Sequence, residues 1–566
     1  MKLAALFAVV SSFALPGVLG ADPTVLGVGY ICSAEHEAPS SAPVQAIILP
    51  GVGNGAMRAD TANAQAQTWF DEGRNLYHAF DHIQARAAFA RAAALDPTCA
   101  LCEWGVALGL GPTLNYPVTA SERAEALAHA RRAAELIKPG DARARGLIGA
   151  LLIRYGEDPQ RDQLYAAAME NLANRYPGDD AIAADAAHAL MIPGRGSDLK
   201  AVARAETLLK GILARHPDDT AAIHYYIHAT EFAGHPADAL AYAQRLAVLA
   251  PGASHLVHMA AHTMIHVGLY EQVALVDAEA LAVDAKVRTE LREPGPLGAE
   301  MYYIHNYVFG LEGALMSGDG PLALKYAEHA GVAFPAAFDT GVVTIPAGMD
   351  RRQDPVERRV SAEARALVAL GRFAPEKALA LPDDPIAPPG LRLWCRYARG
   401  EALAAHGDGE GVRREAQAIT ALASLPSGVP GANEADFAAT ALIAADVLEG
   451  RAALIRGAPD EAATAFARAA DREEKAFPYA RRFDPPPWWY PVRRSLAYAD
   501  LAAGRPADAE REAETSLKAW PQDALALRVL ADAEAKLGET QSAARHRAEA
   551  RHAWRGDLAK TPMRLT

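Results

Sequence analysis

The chain has 566 residues, too many for one compact core, so either several domains or one long repeat array is expected. Apolar residues make up 51% and charged residues 22%, which excludes a disordered or collagen-like chain, and the low aromatic content of 7% favours close-packed helices over β-sandwiches. The formal charge of −13 leaves no basic surface of the kind that nucleic acid binds, so no nucleic-acid partner is predicted.

The first 21 residues have the parts of a secretory signal peptide. Lys2 gives a basic start, residues 3–19 are apolar, and small residues follow. Pro16 interrupts the apolar stretch, which favours cleavage over anchoring, and no later segment is long and apolar enough to predict a membrane span. We therefore expect an exported protein, periplasmic or secreted.

Residues 22–63 are rich in Gly, Pro and Ser and have no helical period, so we predict an irregular leader. The chain has only 4 cysteines, which excludes a disulfide-stapled scaffold. Two of them, Cys99 and Cys102, form a CxxC pair at the start of a predicted helix. A local disulfide or two half-buried thiols is favoured over a redox-active pair, because no βαβ pattern surrounds the motif.

From Ala64 onward the sequence predicts helix–turn–helix units. One unit has small, aromatic and proline residues at fixed spacings, namely Trp69, Gly73, Ala85, Phe89, Ala92 and Pro97. Small residues let two helices approach, aromatic rings fill the space between them, and the proline ends the second helix. Further prolines end Ala-rich segments at Pro177, Pro217, Pro251 and Pro521.

This unit resembles the tetratricopeptide repeat, in which antiparallel helix pairs stack into a superhelix. The separation of Pro217 and Pro251 is one full unit of that repeat. The blocks HYYIHATE, HLVHMAAHTMIHVGLY, YYIHNYVF and PPPWWYPVR are also similar to a His-rich group of exported bacterial tetratricopeptide proteins, a likeness that implies architecture but no activity.

We therefore predict an all-α fold, an α-solenoid of tetratricopeptide-like repeats. Its parts are an N-terminal array with a His-lined groove over 64–344, a loop-rich connection over 345–390 and a C-terminal array over 391–566.

Histidines concentrate in the first array, where two pairs have i, i+4 spacing: His224 with His228, and His258 with His262. On a helix this spacing puts both imidazoles on one face, close enough to bind a single metal ion. The first pair follows Pro217 at the same distances along the chain at which the second pair follows Pro251. Both pairs therefore occupy equivalent positions in adjacent repeats, on helices that lie side by side.

Two more histidines, His188 and His305, follow a proline at the distance that separates His228 from Pro217. The resemblance implies that these positions face the concave groove, so six imidazoles would line one hollow surface, with His78, His255 and His266 at its edge. One such histidine is usually a core residue bonded to a carbonyl, but six desolvated together need donors, acceptors or a cation. A metal site is therefore favoured over a polar groove for a peptide or small anion. The predicted ligands are His188, His224, His228, His258, His262 and His305.

All-imidazole ligands suit copper, zinc, nickel or iron, with copper first because Cu(II) binds such sites most tightly, and zinc second. Three ligands for each of two ions would resemble dinuclear copper sites that bind oxygen. Carboxylates that bind the ion or orient the rings are sought at Asp185, Glu231 and Glu312. Tyr226, Tyr303 and Glu231 are the weak candidates for catalysis, although packing alone is the favoured role of both tyrosines.

No P-loop, HExxH or GxSxG pattern occurs, so the enzyme classes that they mark are not indicated. The first hypothesis is a metal-dependent protein with a small-molecule substrate: a copper-dependent oxidoreductase, or second a zinc hydrolase. Copper storage or delivery is the alternative without catalysis. A scaffold that binds a partner peptide in its concave groove is the alternative of a different class.

Overall fold

The computed structural model describes residues 46–115, 118–194, 196–291, 301–333, 355–381, 385–429, 432–478 and 485–566. The predicted signal peptide and the first part of the predicted leader lie outside these ranges. Residues 46–63 run up to the first helix without forming a helix themselves. Within the described ranges the chain forms 24 α-helices and no strand. None of these helices combines the length and the apolar character that crossing a membrane requires.

Fourteen helices precede residue 334. They are α1 (Ala64–His78), α2 (His82–Leu95), α3 (Ala100–Gly109), α4 (Ala120–Leu136), α5 (Ala142–Arg154), α6 (Arg161–Arg175), α7 (Asp180–Met191), α8 (Leu199–Arg215), α9 (Thr220–Ala233), α10 (Leu240–Leu249), α11 (Ser254–His266), α12 (Tyr270–Leu291), α13 (Met301–Ser317) and α14 (Gly320–Ala333). A short 3₁₀ helix, Pro236–Ala239, precedes α10.

Ten helices follow residue 354. They are α15 (Pro355–Phe373), α16 (Pro375–Leu379), α17 (Pro389–His406), α18 (Gly409–Leu422), α19 (Glu434–Ile455), α20 (Pro459–Ala476), α21 (Arg493–Ala502), α22 (Pro506–Ala519), α23 (Ala524–Leu537) and α24 (Thr540–Ala553). A second 3₁₀ helix is Met563–Leu565.

Nearly every helix packs on the next one along the chain, and alternate helices such as α7, α9, α11 and α13 also pack on one another. This is the contact pattern of stacked helical hairpins, in which each unit buries its apolar face against its neighbours. The prediction of an all-α solenoid of stacked helical hairpins is confirmed.

The signature residues of the first repeat do the packing expected of them. The ring of Phe89, on α2, lies against two glycines of the adjacent helices α1 and α3. A Cβ atom at Gly73 would come within 2.7 Å of that ring, and one at Gly105 within 2.3 Å. Phe70 meets the same ring edge-on, with centroids 5.6 Å apart. The small residues are therefore required for the aromatic residue to fill the junction of three helices.

The repeat prolines mark helix boundaries through an aspartate two residues later. The side chain of Asp179 accepts a hydrogen bond from the Ile182 N–H at the start of α7, and Asp219 does the same for Ala222 at the start of α9. The N-cap of α23 is Asp523, which follows Pro521. Each proline stands in the turn after one helix, and the aspartate satisfies backbone donors at the start of the next.

Cys99 and Cys102 form a disulfide at the start of α3. Both are fully buried, and Asp60 accepts hydrogen bonds from the Ala100 and Leu101 N–H groups beside them. A disulfide enclosed in this way is not accessible to a thiol of another molecule, which favours a structural role over a redox-active one.

The predicted loop-rich connection over 345–390 contains, among the described residues, α15, α16 and the first residues of α17, joined by short turns. Three of its prolines begin helices: Pro355 is the first residue of α15, Pro375 of α16 and Pro389 of α17. A proline in the first turn costs little, because the N–H that it lacks would have no partner inside the helix. A high proline content was therefore a poor sign of loop structure here.

The C-terminal array is closed by the residues around the second 3₁₀ helix. The Arg451 guanidinium donates to the Arg564 carbonyl over 2.7 Å, and Arg372 donates to the Leu565 carbonyl over 2.6 Å. Leu565 is buried. Trp489 is buried as well, as a packing residue would be.

We expect Gly105→Ala to lower the free energy of unfolding by about 1–3 kcal/mol, because the new methyl group must displace the buried Phe89 ring. Gly149, inside α5, has open space where a Cβ atom would lie and serves as the matched control. Gly149→Ala should instead raise stability by about 0.5–1 kcal/mol. Urea unfolding followed by circular dichroism measures both, and equal effects would contradict the packing assigned to Phe89.

Candidate metal centre

Five of the six predicted ligand histidines lie on the first helices of three successive hairpins. His224 and His228 lie on α9, His258 and His262 on α11, and His305 on α13. Helix α11 packs between the other two. Stacking the hairpins therefore brings imidazoles from three separate stretches of sequence to one place in the interior.

Six imidazoles form two groups of three. In each group one ring nitrogen from each residue lies within 4.8 Å of the other two. The first triad is His224, His228 and His255, and the second triad is His258, His262 and His305. Metal–imidazole bonds are roughly 2.0–2.1 Å long, so small side-chain movements would bring three such nitrogens onto one ion. Each triad could hold a metal ion.

The two triads are adjacent. The ring centroids of His228 and His262 are 5.7 Å apart, and those of His255 and His258 are 5.9 Å apart. Each pair joins one triad to the other. Two ions held by these triads would be neighbours in a common chamber.

Hydrogen bonds at the Nδ1 atoms orient the rings. His224 Nδ1 lies 2.6 Å from the His78 carbonyl oxygen, His258 Nδ1 lies 2.6 Å from Asp277 Oδ1, and His262 Nδ1 lies 3.2 Å from Glu231 Oε1. A carbonyl oxygen only accepts, so the proton of the neutral His224 ring is on Nδ1 and its Nε2 carries a lone pair. Such an acceptor behind the ring is the usual partner of a metal-bound histidine.

Three of the Nε2 atoms have no hydrogen-bond partner among the described residues. Among the described residues, no hydrogen-bond partner meets Nε2 of His224, His228 or His258, and all three are buried. A buried polar atom without a partner costs free energy, which a bound cation would offset. These atoms are thus available as ligands.

Burial keeps four of the six imidazoles neutral. Loss of hydration lowers the pKa of His228 to about 3 and, aided by neighbouring imidazoles, lowers the pKa of His224, His255 and His258 well below the ordinary value. Neutral imidazole is the form that binds metal ions.

Two carboxylates lie beside the second triad. Asp277 is fully buried against His258, and Glu231 contacts both His262 and His266, the latter at 3.1 Å. No lysine or arginine in the described parts of the chain forms an ion pair with either carboxylate. Burial raises the pKa of Asp277 well above its ordinary value; burial acts the same way on Glu231, but His262 and His266 lower its pKa overall. Both groups therefore favour a nearby positive charge.

A phenylalanine packs against each triad. The Phe80 ring contacts all three rings of the first triad, at 4.6 Å from His224, and the Phe309 ring contacts all three of the second, at 4.7 Å from His262. Phe80 has a φ of 58°, in the left-handed region that non-glycine residues rarely adopt. That conformation places its ring against the histidines, and both rings help to exclude water from them.

The predicted open groove is wrong for these histidines, because their exposed fractions are only 0% to 9%. His188 is also set apart from the triads. Its Nδ1 lies 3.3 Å from the Tyr77 hydroxyl, and its ring stacks on Tyr225 with centroids 4.6 Å apart. His255, predicted only at the edge, takes the sixth place instead. It precedes His258 by three residues and so shares that face of α11.

The three carboxylates proposed from the sequence have different partners. Asp185 is bound by Arg74 at 2.8 Å, and Glu312 by Arg365 at 2.9 Å, so neither is a candidate ligand. Only Glu231 lies at the triads. Asp277 was missed, because a single aspartate in the sequence ALVDAEAL gives no sign that it faces a histidine of the preceding helix.

The two tyrosines proposed as weak catalytic candidates have different surroundings from Glu231. Tyr226 packs against Tyr242, with centroids 5.8 Å apart, and lies under the Lys210 ammonium group. It follows His224 by two residues, and therefore points to a different side of α9. Tyr303 is buried on α13, where its charge helps to raise the pKa of Tyr307 after the larger effect of burial.

No protein-family profile matches the chain, and no curated protein sequence matches it. Similar solved structures include the TPR domain of P58(IPK), with 13% identity, a TM-score of 0.19, and coverage of 65% of this chain and 92% of the other. The human IFIT1 dimer with m7Gppp-AAAA has 10% identity, a TM-score of 0.30 and coverage of 87% and 96%. The APC/C hetero-tetramer Cut9-Hcn1 has 13% identity, a TM-score of 0.26 and coverage of 83% and 76%. Likeness at this level gives no information about a ligand of this chain.

We expect Asp185→Ala to lower the free energy of unfolding by about 3–5 kcal/mol, because Arg74 would remain as a buried charge without its partner. Adding Arg74→Met should restore much of this loss, since the unpaired charge is removed. Glu410→Ala, at the exposed pair with Arg413, should change little and is the control. If the double variant is as unstable as Asp185→Ala alone, the ion pair is not what matters at this position.

Proposed function

We propose that this chain is an exported solenoid whose two histidine triads hold two metal ions, copper first and zinc second. Two observations together carry the proposal. Acceptors lie behind Nδ1 of His224, His258 and His262, and the buried Nε2 atoms of His224, His228 and His258 meet no hydrogen-bond partner among the described residues. A histidine that serves only packing has no need to converge with other histidines. Here six rings from three helices converge in threes.

Ligand chemistry favours copper or zinc. Each triad supplies three imidazoles, and neither Cys99 nor Cys102 can contribute a thiolate, since both are in a disulfide. Imidazole suits both metals, and copper(II) binds more tightly than zinc in the usual order. Copper is therefore the first choice and zinc the second.

Three protein ligands leave a position open for a small molecule. Bound copper would supply one-electron and oxygen chemistry, so a copper-dependent oxidoreductase with a small-molecule substrate is the first enzymatic hypothesis. Zinc would supply a polarised water for hydrolysis, which is the second. Glu231 is the acid or base candidate beside the triads. Storage or delivery of copper uses the same ligands and needs no substrate.

The scaffold hypothesis assigns a partner peptide to the concave groove. Two observations make it the weaker alternative. The imidazoles expected to line that groove are enclosed. The 3₁₀ helix at Leu565 already packs on α17, α19 and α21, the alternate helices that would form the wall of a groove in the C-terminal array. A partner protein would have to use another surface or displace these residues.

Elemental analysis of the purified full chain should find two equivalents of copper, or of zinc when only zinc is supplied. His228→Ala and His262→Ala should each lose about one equivalent, because each removes one of three ligands from a different triad. His129→Ala is the control, since His129 is half-buried against Glu103 outside the triads, and both equivalents should remain. Full metal content in the double variant His228→Ala/His262→Ala would overturn the ligand assignment. A wild-type chain that binds no metal but binds a peptide tightly would favour the scaffold.

A further inference from the structure

We infer that the two ions are not equivalent: the second triad binds its ion first and more tightly, and Asp277 and Glu231 are the positioning residues that cause the difference. This inference rests on the proposed function, because it assumes that both triads bind metal. It assigns a binding order and a cause to a pair of sites that each have three imidazole ligands.

The acceptors behind the ligands differ in charge. In the second triad His258 and His262 both bond to carboxylates, Asp277 at 2.6 Å and Glu231 at 3.2 Å. In the first triad His224 bonds to a neutral backbone carbonyl, that of His78. Glu231 also approaches the first triad, but its Oε2 atom is 3.9 Å from His228 Nδ1, beyond hydrogen-bond distance.

The charges further out enlarge this difference. The other carboxylate near the first triad is Asp185, 3.6 Å from His78 Nε2, and Arg74 neutralises it at 2.8 Å. By contrast, Asp277 and Glu231 form ion pairs only with histidines in the part of the chain that the structure describes. A divalent cation in the second triad would therefore lie beside two buried carboxylates that accept from its ligands, whereas the acceptor behind His224 in the first triad is an uncharged carbonyl.

Two physical effects then act in the same direction. Coulomb attraction is strong in an interior of low dielectric constant, where water does not screen it. A carboxylate that accepts the Nδ1 proton also makes the imidazole a more basic ligand, and loss of such a partner typically lowers metal affinity roughly 10- to 100-fold. Both effects favour occupation of the second triad.

Titration of the metal-free full chain with Zn²⁺ alone, followed by calorimetry with a competing chelator, tests the inference. Zn²⁺ has no redox chemistry to complicate the binding curve. The wild-type chain should bind two ions in two resolved steps. His224→Ala should remove the weaker step, and His305→Ala the tighter one, since each belongs to only one triad.

The carboxylate variants identify the cause. Asp277→Asn and Glu231→Gln keep the shape of each side chain and remove its charge, so each should weaken the tighter step roughly 10- to 100-fold. The weaker step should be weakened less by both variants, and more by Glu231→Gln than by Asp277→Asn, because Glu231 Oε2 lies 3.9 Å from His228 Nδ1. Glu206→Gln is the matched control, because Glu206 is a buried carboxylate that contacts His235 at 3.1 Å outside the triads, and both steps should be retained. Circular dichroism of each metal-free variant shows whether it is folded. If Asp277→Asn does not fold, Glu231→Gln alone tests the cause of the difference.

Two steps of equal affinity, or equal weakening of both steps by the carboxylate variants, would overturn the inference while leaving the metal site in place. Loss of the weaker step alone in Asp277→Asn would also overturn it. A wild-type chain without any Zn²⁺ or copper binding would overturn the proposed function and this inference together.

Discussion

Six imidazoles enclosed in a helical interior are the constraint on which the centre of this protein depends. A neutral imidazole has one nitrogen that donates and one that accepts, and burial removes both from bulk water. The chain supplies acceptors for the donors, in the His78 carbonyl, Asp277 and Glu231. It supplies nothing comparable for the Nε2 atoms of His224 and His228 among the residues described. A cation is the simplest group that satisfies several such atoms at once.

The sequence predicts those features of the site that follow from the repeat period. His224 and His228, and His258 and His262, stand at equivalent distances from the prolines that precede them, and those prolines are one unit apart. Because stacked hairpins place equivalent positions side by side, the convergence of α9 and α11 was predictable from spacing alone. The helical architecture was predictable for the same reason, since small and aromatic residues at fixed positions of the unit have a fixed packing role, as Phe89 shows.

The rest depends on contacts that the repeat period does not determine. His188 follows Pro177 at the same distance at which His228 follows Pro217, yet its Nδ1 meets the Tyr77 hydroxyl and not the triads. Phe80 reaches the first triad through a turn in the left-handed region, which no composition rule would suggest for phenylalanine. Enclosure was missed because it depends on contacts between parts of the chain far apart in sequence.

His224 and His258 occupy the same position of adjacent repeats, yet one bonds to a backbone carbonyl and the other to a carboxylate. The repeat thus provides two nearly identical sets of ligands, and the surrounding residues make them different. The imidazole ligands determine whether a metal ion binds, and the charge of the groups behind them determines its affinity. A change at Asp277 could alter the affinity without altering the ligands, because Asp277 lies on α12, outside the helices that carry the imidazoles.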